Sequence, residues 1–151
     1  MTDGIDEITI YLAGEIHSDW RDRFRDLLAE RDVPARLVGP QEVHGRSDDV
    51  GEDILGPQPD DRYRDLMGAS VNTLRTRVLL GRADLAVAYF GDQYRQWNTA
   101  ADAGAAVAGG LPLVLVRHPE LTHALKEIDA LASFTCERLE QAADAVAYIF
   151  E

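Results

Sequence analysis

The sequence predicts an α/β fold: a single doubly wound, five-stranded parallel sheet in the flavodoxin-like order 2-1-3-4-5, with helices on both faces. Three observations carry that reading. Short β-rich apolar runs alternate with longer stretches of helical periodicity, the pattern of right-handed βαβ crossovers. The run at 84–90 (DLAVAYF) is apolar almost throughout, as a strand covered on both faces must be. The 151 residues, 46% hydrophobic and 28% charged, suffice for one domain spanning 1–151 with a sizeable core.

Taken in order, Ile8 to Ala13 is a β-rich run closed by Gly14 and forms the first strand. Ser18 and Asp19 offer capping side chains to a helix from Trp20 to Arg31, where Trp20, Phe24, Leu27 and Leu28 recur at helical spacing. Ala35 to Val38 is the second strand, stopped by Gly39-Pro40. Residues 41–60, rich in glycine, proline and acids, read as a long loop, whose length and Gly51 and Gly56 raise, without deciding, the question of a lid. A helix follows from Asp61 to about Leu80, with Tyr63, Leu66, Val71, Leu74 and Val78 roughly on one side. After the third strand, 84–90, a polar loop at 91–97 leads into a helix over 98–110 made almost wholly of small residues. Such a helix can lie close to the sheet or against a partner chain, which points to a homo-oligomer. Leu111 to Val116 is the fourth strand. A helix from Leu121 to Leu131, a short fifth strand around Phe134 and a last helix from Leu139 to Phe150 complete the chain.

Composition excludes several classes of function. A net charge of −12 is unsuited to binding nucleic acid or an anionic membrane surface, both of which require basic patches. No apolar run reaches the ~18 residues of a membrane span, and the amino-terminal MTDGIDEITIYL has no basic targeting region, so a cytoplasmic location is expected. The one cysteine, Cys136, allows neither an intrachain disulfide nor a cysteine-rich zinc site, and it reads as a small core residue.

In this topology ligands bind outside the carboxyl ends of the first and third strands, where the strand order reverses. Two loops lie there. The first crowds Glu15, His17, Ser18, Asp19 and Trp20 behind Gly14, which permits close backbone approach to a ligand. His17 reads either as structural or as part of the site. The second loop brings Asp92, Tyr94, Arg95, Trp97 and Asn98 together. Asn98 and Asp102, one helical turn apart, share a face that starts at the loop mouth, so the Asp102 carboxylate either points into the pocket or solvates the helix. Neither GxxxxGK[ST], GxGxxG nor GxSxG occurs. Glu15, His17 and His44 lack a diagnostic metal-ligand spacing, and neither a metal nor another cofactor is expected. His118 and His123 flank a segment in which Thr122 or a neighbour caps the next helix; His123 also lies within reach of the pocket as a ligand contact.

YLAGEIHSDW near the start, NTLRTRVLLGRADLAVAYFGDQYRQWN in the middle and THALKEID later resemble the YtoQ family over nearly the whole chain. That family is grouped with the nucleoside 2-deoxyribosyltransferase-like proteins, so the resemblance implies a compact five-stranded parallel fold. It also implies a small-molecule nucleoside or nucleotide substrate. Tyr11 matches the tyrosine of the YLAGP-type first-strand pattern, which lies near the catalytic carboxylate. Asp102 falls where the ELGYA-type helix pattern carries a nucleophilic glutamate, one methylene longer. Asp84 matches an aspartate before the third strand whose role is structural. Glu15 replaces the proline of YLAGP and adds a carboxylate that can share the work. The implied chemistry is cleavage of an N-glycosidic bond, by transfer of a (deoxy)ribosyl group between bases or by hydrolysis. Tyr11 would orient Asp102, Trp20 or Trp97 would stack on the base, and Asn72 and Arg75 would reach sugar hydroxyls or a 5′-phosphate. The arginines of NTLRTR read equally as a solvated helix face. The alternative function is a non-catalytic protein that binds a nucleotide-like ligand.

Overall fold

A computed structural model describes residues 4–151; residues 1–3, the start of the segment read above as lacking a targeting region, lie outside the described residues. Five strands, β1 (Ile8–Ala13), β2 (Ala35–Val38), β3 (Leu85–Phe90), β4 (Leu113–Arg117) and β5 (Phe134–Cys136), form one parallel sheet in the order β2-β1-β3-β4-β5. The helices are α1 (Trp20–Glu30), α2 (His44–Leu55), α3 (Asp61–Arg82), α4 (Trp97–Ala108), α5 (Lys126–Leu131) and α6 (Leu139–Tyr148). Among the described residues no helix is long and apolar enough to cross a membrane. The fold is the expected doubly wound α/β arrangement.

Two-residue periodicity divides the core into two layers. Ile8, Ile10 and Leu12 of β1 join Leu85, Val87, Val114 and Val116 beneath α1 and α6, against Trp20, Phe24, Leu28, Leu139 and Val146. The alternate residues Tyr11 and Ala13 face the other way, with Ala86, Ala88, Phe90 and Leu115, beneath α3 and α4. The small residues of α4 serve this second layer: Ala103 and Ala106 are buried against it, with Ala86 and Ala88 in the same cluster. Alanine on alanine lets the helix lie close to the sheet, which carries its first two turns, with Asn98 and Asp102, to the end of β1. Asp84 extends the junction of β1 and β3. Its amide donates to the Thr9 carbonyl at 2.8 Å and its carboxylate accepts from the Thr9 amide at 2.8 Å, which gives it the structural role expected of it.

Three features depart from the sequence pattern, the first and third of them correcting stated expectations. Residues 44–55 of the expected loop form α2. The glycines and prolines that suggested a loop bracket this helix: Pro40 precedes it, Gly56 ends it at φ +85°, and Pro57 and Pro59 follow. Within α2, Gly51 sits where the helix crosses α3 at Gly68. A Cβ at Gly51 would lie 2.5 Å from the Gly68 nitrogen, so the close crossing outweighs the poor helix propensity of glycine. Second, the shared apolar side of α3 does not face the sheet. Tyr63, Leu66, Leu74 and Val78 are exposed, and only Gly68 and Leu80 of this helix are buried. The helix spends most of its length against α2 and reaches the sheet core only in its last turns. Third, the helix expected from Leu121 begins at Lys126. A short 3₁₀ turn over Pro119–Leu121 comes first, held by His118 Nδ1 accepting from the Glu120 amide and by Thr122 Oγ1 donating to the Pro119 carbonyl. Cys136 is buried as expected, and burial pushes its thiol up to about 11.

Candidate active site

The end of β1 presents a buried tyrosine to a carboxylate. Tyr11, fully buried, donates its hydroxyl to Asp102 Oδ2 at 3.0 Å, with Thr76 Oγ1 of α3 at 3.5 Å on its other side. Burial, then the Asp102 charge, raise the Tyr11 hydroxyl far above its ordinary range, so it remains a donor at neutral pH. Burial also raises the Asp102 carboxyl above the usual aspartate value; the Tyr11 hydrogen bond and the charges of Arg21 and Arg77 oppose that rise. A half-buried carboxylate held by one hydrogen bond and facing a cavity can act chemically as a nucleophile or cation stabiliser.

Asp102 lies where two cavities meet. One, of about 300 Å³, is walled by α3 and α4 and lined by Asn72, Arg75, Thr76 and Arg77. The other, of about 480 Å³, lies over the two loops and is lined by His17, His44, Tyr94 and Trp97. Pro40, Gln41, Ser47, Asn98 and Asp102 belong to both, so the two form one cleft of a size suited to a small organic ligand. The first lobe carries cations and an amide. The second is aromatic: the His17 ring lies 5.2 Å from Tyr94 and 6.0 Å from His44, and Trp97 is 76% exposed at the start of α4.

The sequence-derived site residues divide accordingly. Tyr11, His17, Asn72, Arg75, Trp97, Asn98 and Asp102 converge on the cleft. Asn72 also ties α3 to α2, donating to the Ser47 carbonyl at 3.0 Å and its Oγ at 3.1 Å, and Arg75 donates to the Gly39 carbonyl. Glu15 lines the second lobe, but its carboxylate folds its own loop: Oε2 accepts from the amides of His17 (2.6 Å) and Ser18 (3.0 Å), and Oε1 from the Ser18 hydroxyl. Burial raises the Glu15 carboxyl, and these bonds, led by that of the Ser18 side chain, outweigh it and hold the group below its usual range.

Trp20 does not reach the cleft as a base-stacking surface. It is 1% exposed, stacked on Tyr89 at 4.9 Å, with Nε1 donating to the Glu15 carbonyl at 2.9 Å. Gly14 lines the second lobe and also serves that packing, because a Cβ there would lie 2.7 Å from Trp20 Cε2. Asp92 lines an adjoining depression with Ser18 and Arg23, which shares Glu15, Tyr94 and Gln96 with the second lobe; its carboxylate lies 3.8 Å from His118 Nε2. His123 is exposed on the turn before α5 and lines none of these cavities. Thr76 and Ser47 went unread in the sequence. Thr76 sits inside NTLRTR between the two arginines, where only its contact with Tyr11 reveals it.

Comparison with known proteins fits this geometry. Residues 11–150 match the family described as nucleoside 2-deoxyribosyltransferase YtoQ. The uncharacterized protein YtoQ of Bacillus subtilis (strain 168) is 45% identical over 145 residues, which is 96% of this chain and 98% of that one. Among solved structures, a 2-deoxyribosyltransferase from Bacillus psychrosaccharolyticus superposes with a TM-score of 0.58 at 17% identity, covering 90% of each chain. The Clostridium botulinum CMP N-glycosidase BcmB does so with a TM-score of 0.50 at 13% identity, covering 93% of this chain and 98% of that one. At those identities the two structures share the fold. With the family match spanning nearly the whole chain, this protein belongs to the nucleoside 2-deoxyribosyltransferase YtoQ family.

Proposed function

We propose that this protein is a nucleoside or nucleotide N-glycosyl enzyme in which Asp102 is the carboxylate that attacks or stabilises the anomeric carbon. The observation that carries the reading is the Tyr11–Asp102 pair, 3.0 Å apart, at the junction of a cationic lobe and an aromatic lobe. The base lies in the aromatic lobe, against Trp97, His17 and Tyr94. The sugar and its 5′ end lie towards Asn72, Arg75 and Arg77, whose amide and guanidinium groups suit hydroxyls or a phosphate. As the C1′–N bond breaks, its electron pair leaves with the base, which takes up a proton from solvent. The oxocarbenium-like centre is met by an Asp102 oxygen, and water or a second base then displaces the carboxylate and releases its own proton to solvent. Tyr11 keeps Asp102 pointed at C1′, and Glu15 holds the β1–α1 loop in shape.

The exposed stripe of Tyr63, Leu66, Leu74 and Val78 on α3, beside exposed Ala101, Gly104 and Ala108 on α4, fits a second copy of the chain. A homo-oligomer is part of this reading, and a monomeric mass by light scattering would remove it.

The test is product analysis by mass spectrometry after incubation with pooled nucleosides, nucleotides and free bases, with Asp102→Asn alongside. Base release or exchange that disappears in the variant is the expected result. Full turnover by Asp102→Asn sinks the assignment of the carboxylate. Tight binding of a pool member without any product replaces the enzyme reading with that of a binding protein.

A further inference from the structure

Helix α4 opens its amino-terminal end into the second lobe, and the whole start of the helix, from Gln96 to Thr99, lines that cavity. The amides of Trp97, Asn98 and Thr99 precede the first intrahelical bond, which Ala100 makes to the Gln96 carbonyl at 3.1 Å. Among the described residues those three amides have no partner. Gln96 does not cap them, because its side-chain nitrogen is committed to the carbonyls of Gly91 at 2.8 Å and Tyr94 at 3.1 Å. The first turn carries no acidic residue either.

Thr99 adds a second, independent observation. It is 3% exposed, yet it lines the same lobe, and among the described residues its hydroxyl has no hydrogen-bond partner. A buried hydroxyl without a partner is costly, and the cavity is where a partner can reach it. Thr99 and Asp102 stand three apart on α4, with Cβ atoms about 5–6 Å from each other. A sugar carbon in front of Asp102 therefore turns its leaving group towards Thr99. Of the charged groups in this lobe, Glu15 is spent on its own loop, Asp48 lies 3.1 Å from His44, and Arg95 adds a cation.

We propose that the first turn of α4, with Thr99, is the subsite of the leaving base and holds that base as its anion. The proposal rests on the reading of the second lobe as the base pocket. When the C1′–N bond breaks, the electron pair passes to the ring nitrogen. In a base with a ring carbonyl beside that nitrogen it is shared with the carbonyl oxygen. That oxygen accepts from the Thr99 hydroxyl and the first-turn amides, and the positive end of the helix dipole stabilises its charge. The anion takes its proton from solvent on leaving. A phosphate also suits a helix N-terminus, but the other walls of this lobe are the rings of His17, Tyr94 and Trp97, which suit a planar heterocycle.

The probes are two free bases of similar shape, 5-nitrouracil, an anion at mildly alkaline pH, and thymine, which is neutral there. Calorimetry is expected to show wild type binding 5-nitrouracil on the order of 100-fold more tightly than thymine. Thr99→Val, which keeps the shape and loses the hydroxyl, is expected to give up about tenfold of that preference, and Thr99→Ser to retain it. Thr99→Ala takes the place of Thr99→Val should that variant not fold. Across nucleosides whose bases are graded in acidity, Thr99→Val is expected to lower kcat most for the least acidic base, whereas a merely structural defect lowers all alike. No binding of either base, equal affinity of wild type for the two, or a preference unchanged in Thr99→Val overturns the proposal. Displacement of 5-nitrouracil by inorganic phosphate overturns it as well, by assigning the turn to a phosphate. Binding needs no turnover: a wild type that holds 5-nitrouracil in this Thr99-dependent way yet forms no product supports the subsite and refutes the proposed function.

Discussion

Gly51→Ala tests whether α2 is part of the machinery or mere cover. A methyl group at Gly51 would stand 2.5 Å from the Gly68 nitrogen, 2.6 Å from the Met67 carbonyl carbon and 2.8 Å from Met67 Cβ. Comfortable contacts begin near 3.5 Å, so α2 must withdraw from α3 by about 1 Å. The first two obstacles are backbone and cannot rotate aside. Overpacking of this kind costs about 1–3 kcal/mol, against which alanine returns about 0.5–1 kcal/mol of helix propensity. The net is a loss of up to about 2.5 kcal/mol, or a fall in Tm of up to roughly 10 °C for a chain of this size. The same helix carries Ser47, which receives Asn72, and His44, which lines the aromatic lobe. A 1 Å displacement there is expected to lower turnover by on the order of 100-fold in a protein that remains folded. Gly45→Ala is the internal control. Gly45 lies in the same helix, and a methyl group added there would have nothing within 4 Å, so the substitution should be neutral or stabilising by up to about 1 kcal/mol. Urea denaturation and turnover of both variants decide the matter. Equal stability and activity of Gly51→Ala and Gly45→Ala would refute the close crossing and the role assigned to α2.

Asp102→Asn should raise Tm at neutral pH while abolishing turnover. Because burial lifts the folded-state value above the unfolded 3.8, Asp102 costs nothing while protonated on both sides, and stability is lost as pH rises through the folded value; the Tm advantage of the variant should therefore vanish below about pH 3.8. Trp97→Ala should raise KM roughly tenfold, within the range for loss of a base–aromatic stack, and leave Tm unchanged because the side chain is 76% exposed. A folded Cys136, its thiol pushed up to about 11, should resist alkylation at pH 8 until denaturant is added; rapid labelling of the native protein would contradict its burial.

The sheet order and both loops at its switch point were legible because buried parallel strands carry a continuous apolar signal and the crossover rule does the rest. Asp102 was legible as a position one turn after Asn98, but its direction depended on the alanines beneath it, whose contacts no spacing reveals. Trp20 carried its answer in plain view: with Phe24 and Leu28 at i+4 and i+8, it lies on the buried stripe of α1 and cannot also face a ligand. Helix α2 was illegible for a different reason. It buries only Val50 and Gly51, so it has no apolar stripe, and the glycine that weakens it locally is the one the crossing requires. Thr76 and Ser47 make their contacts across 65 and 25 residues of sequence, beyond the reach of local pattern.

The most direct test of the central claim is to trap the sugar on the enzyme. A 2-fluoro-2-deoxyribosyl nucleoside or nucleotide slows departure from a carboxylate, and intact-mass measurement followed by peptide mapping locates any adduct. The account predicts one sugar per chain, bound within the peptide containing Asp102 and absent from Asp102→Asn. An adduct on Glu15 or elsewhere, or base release undiminished in Asp102→Asn, would contradict it.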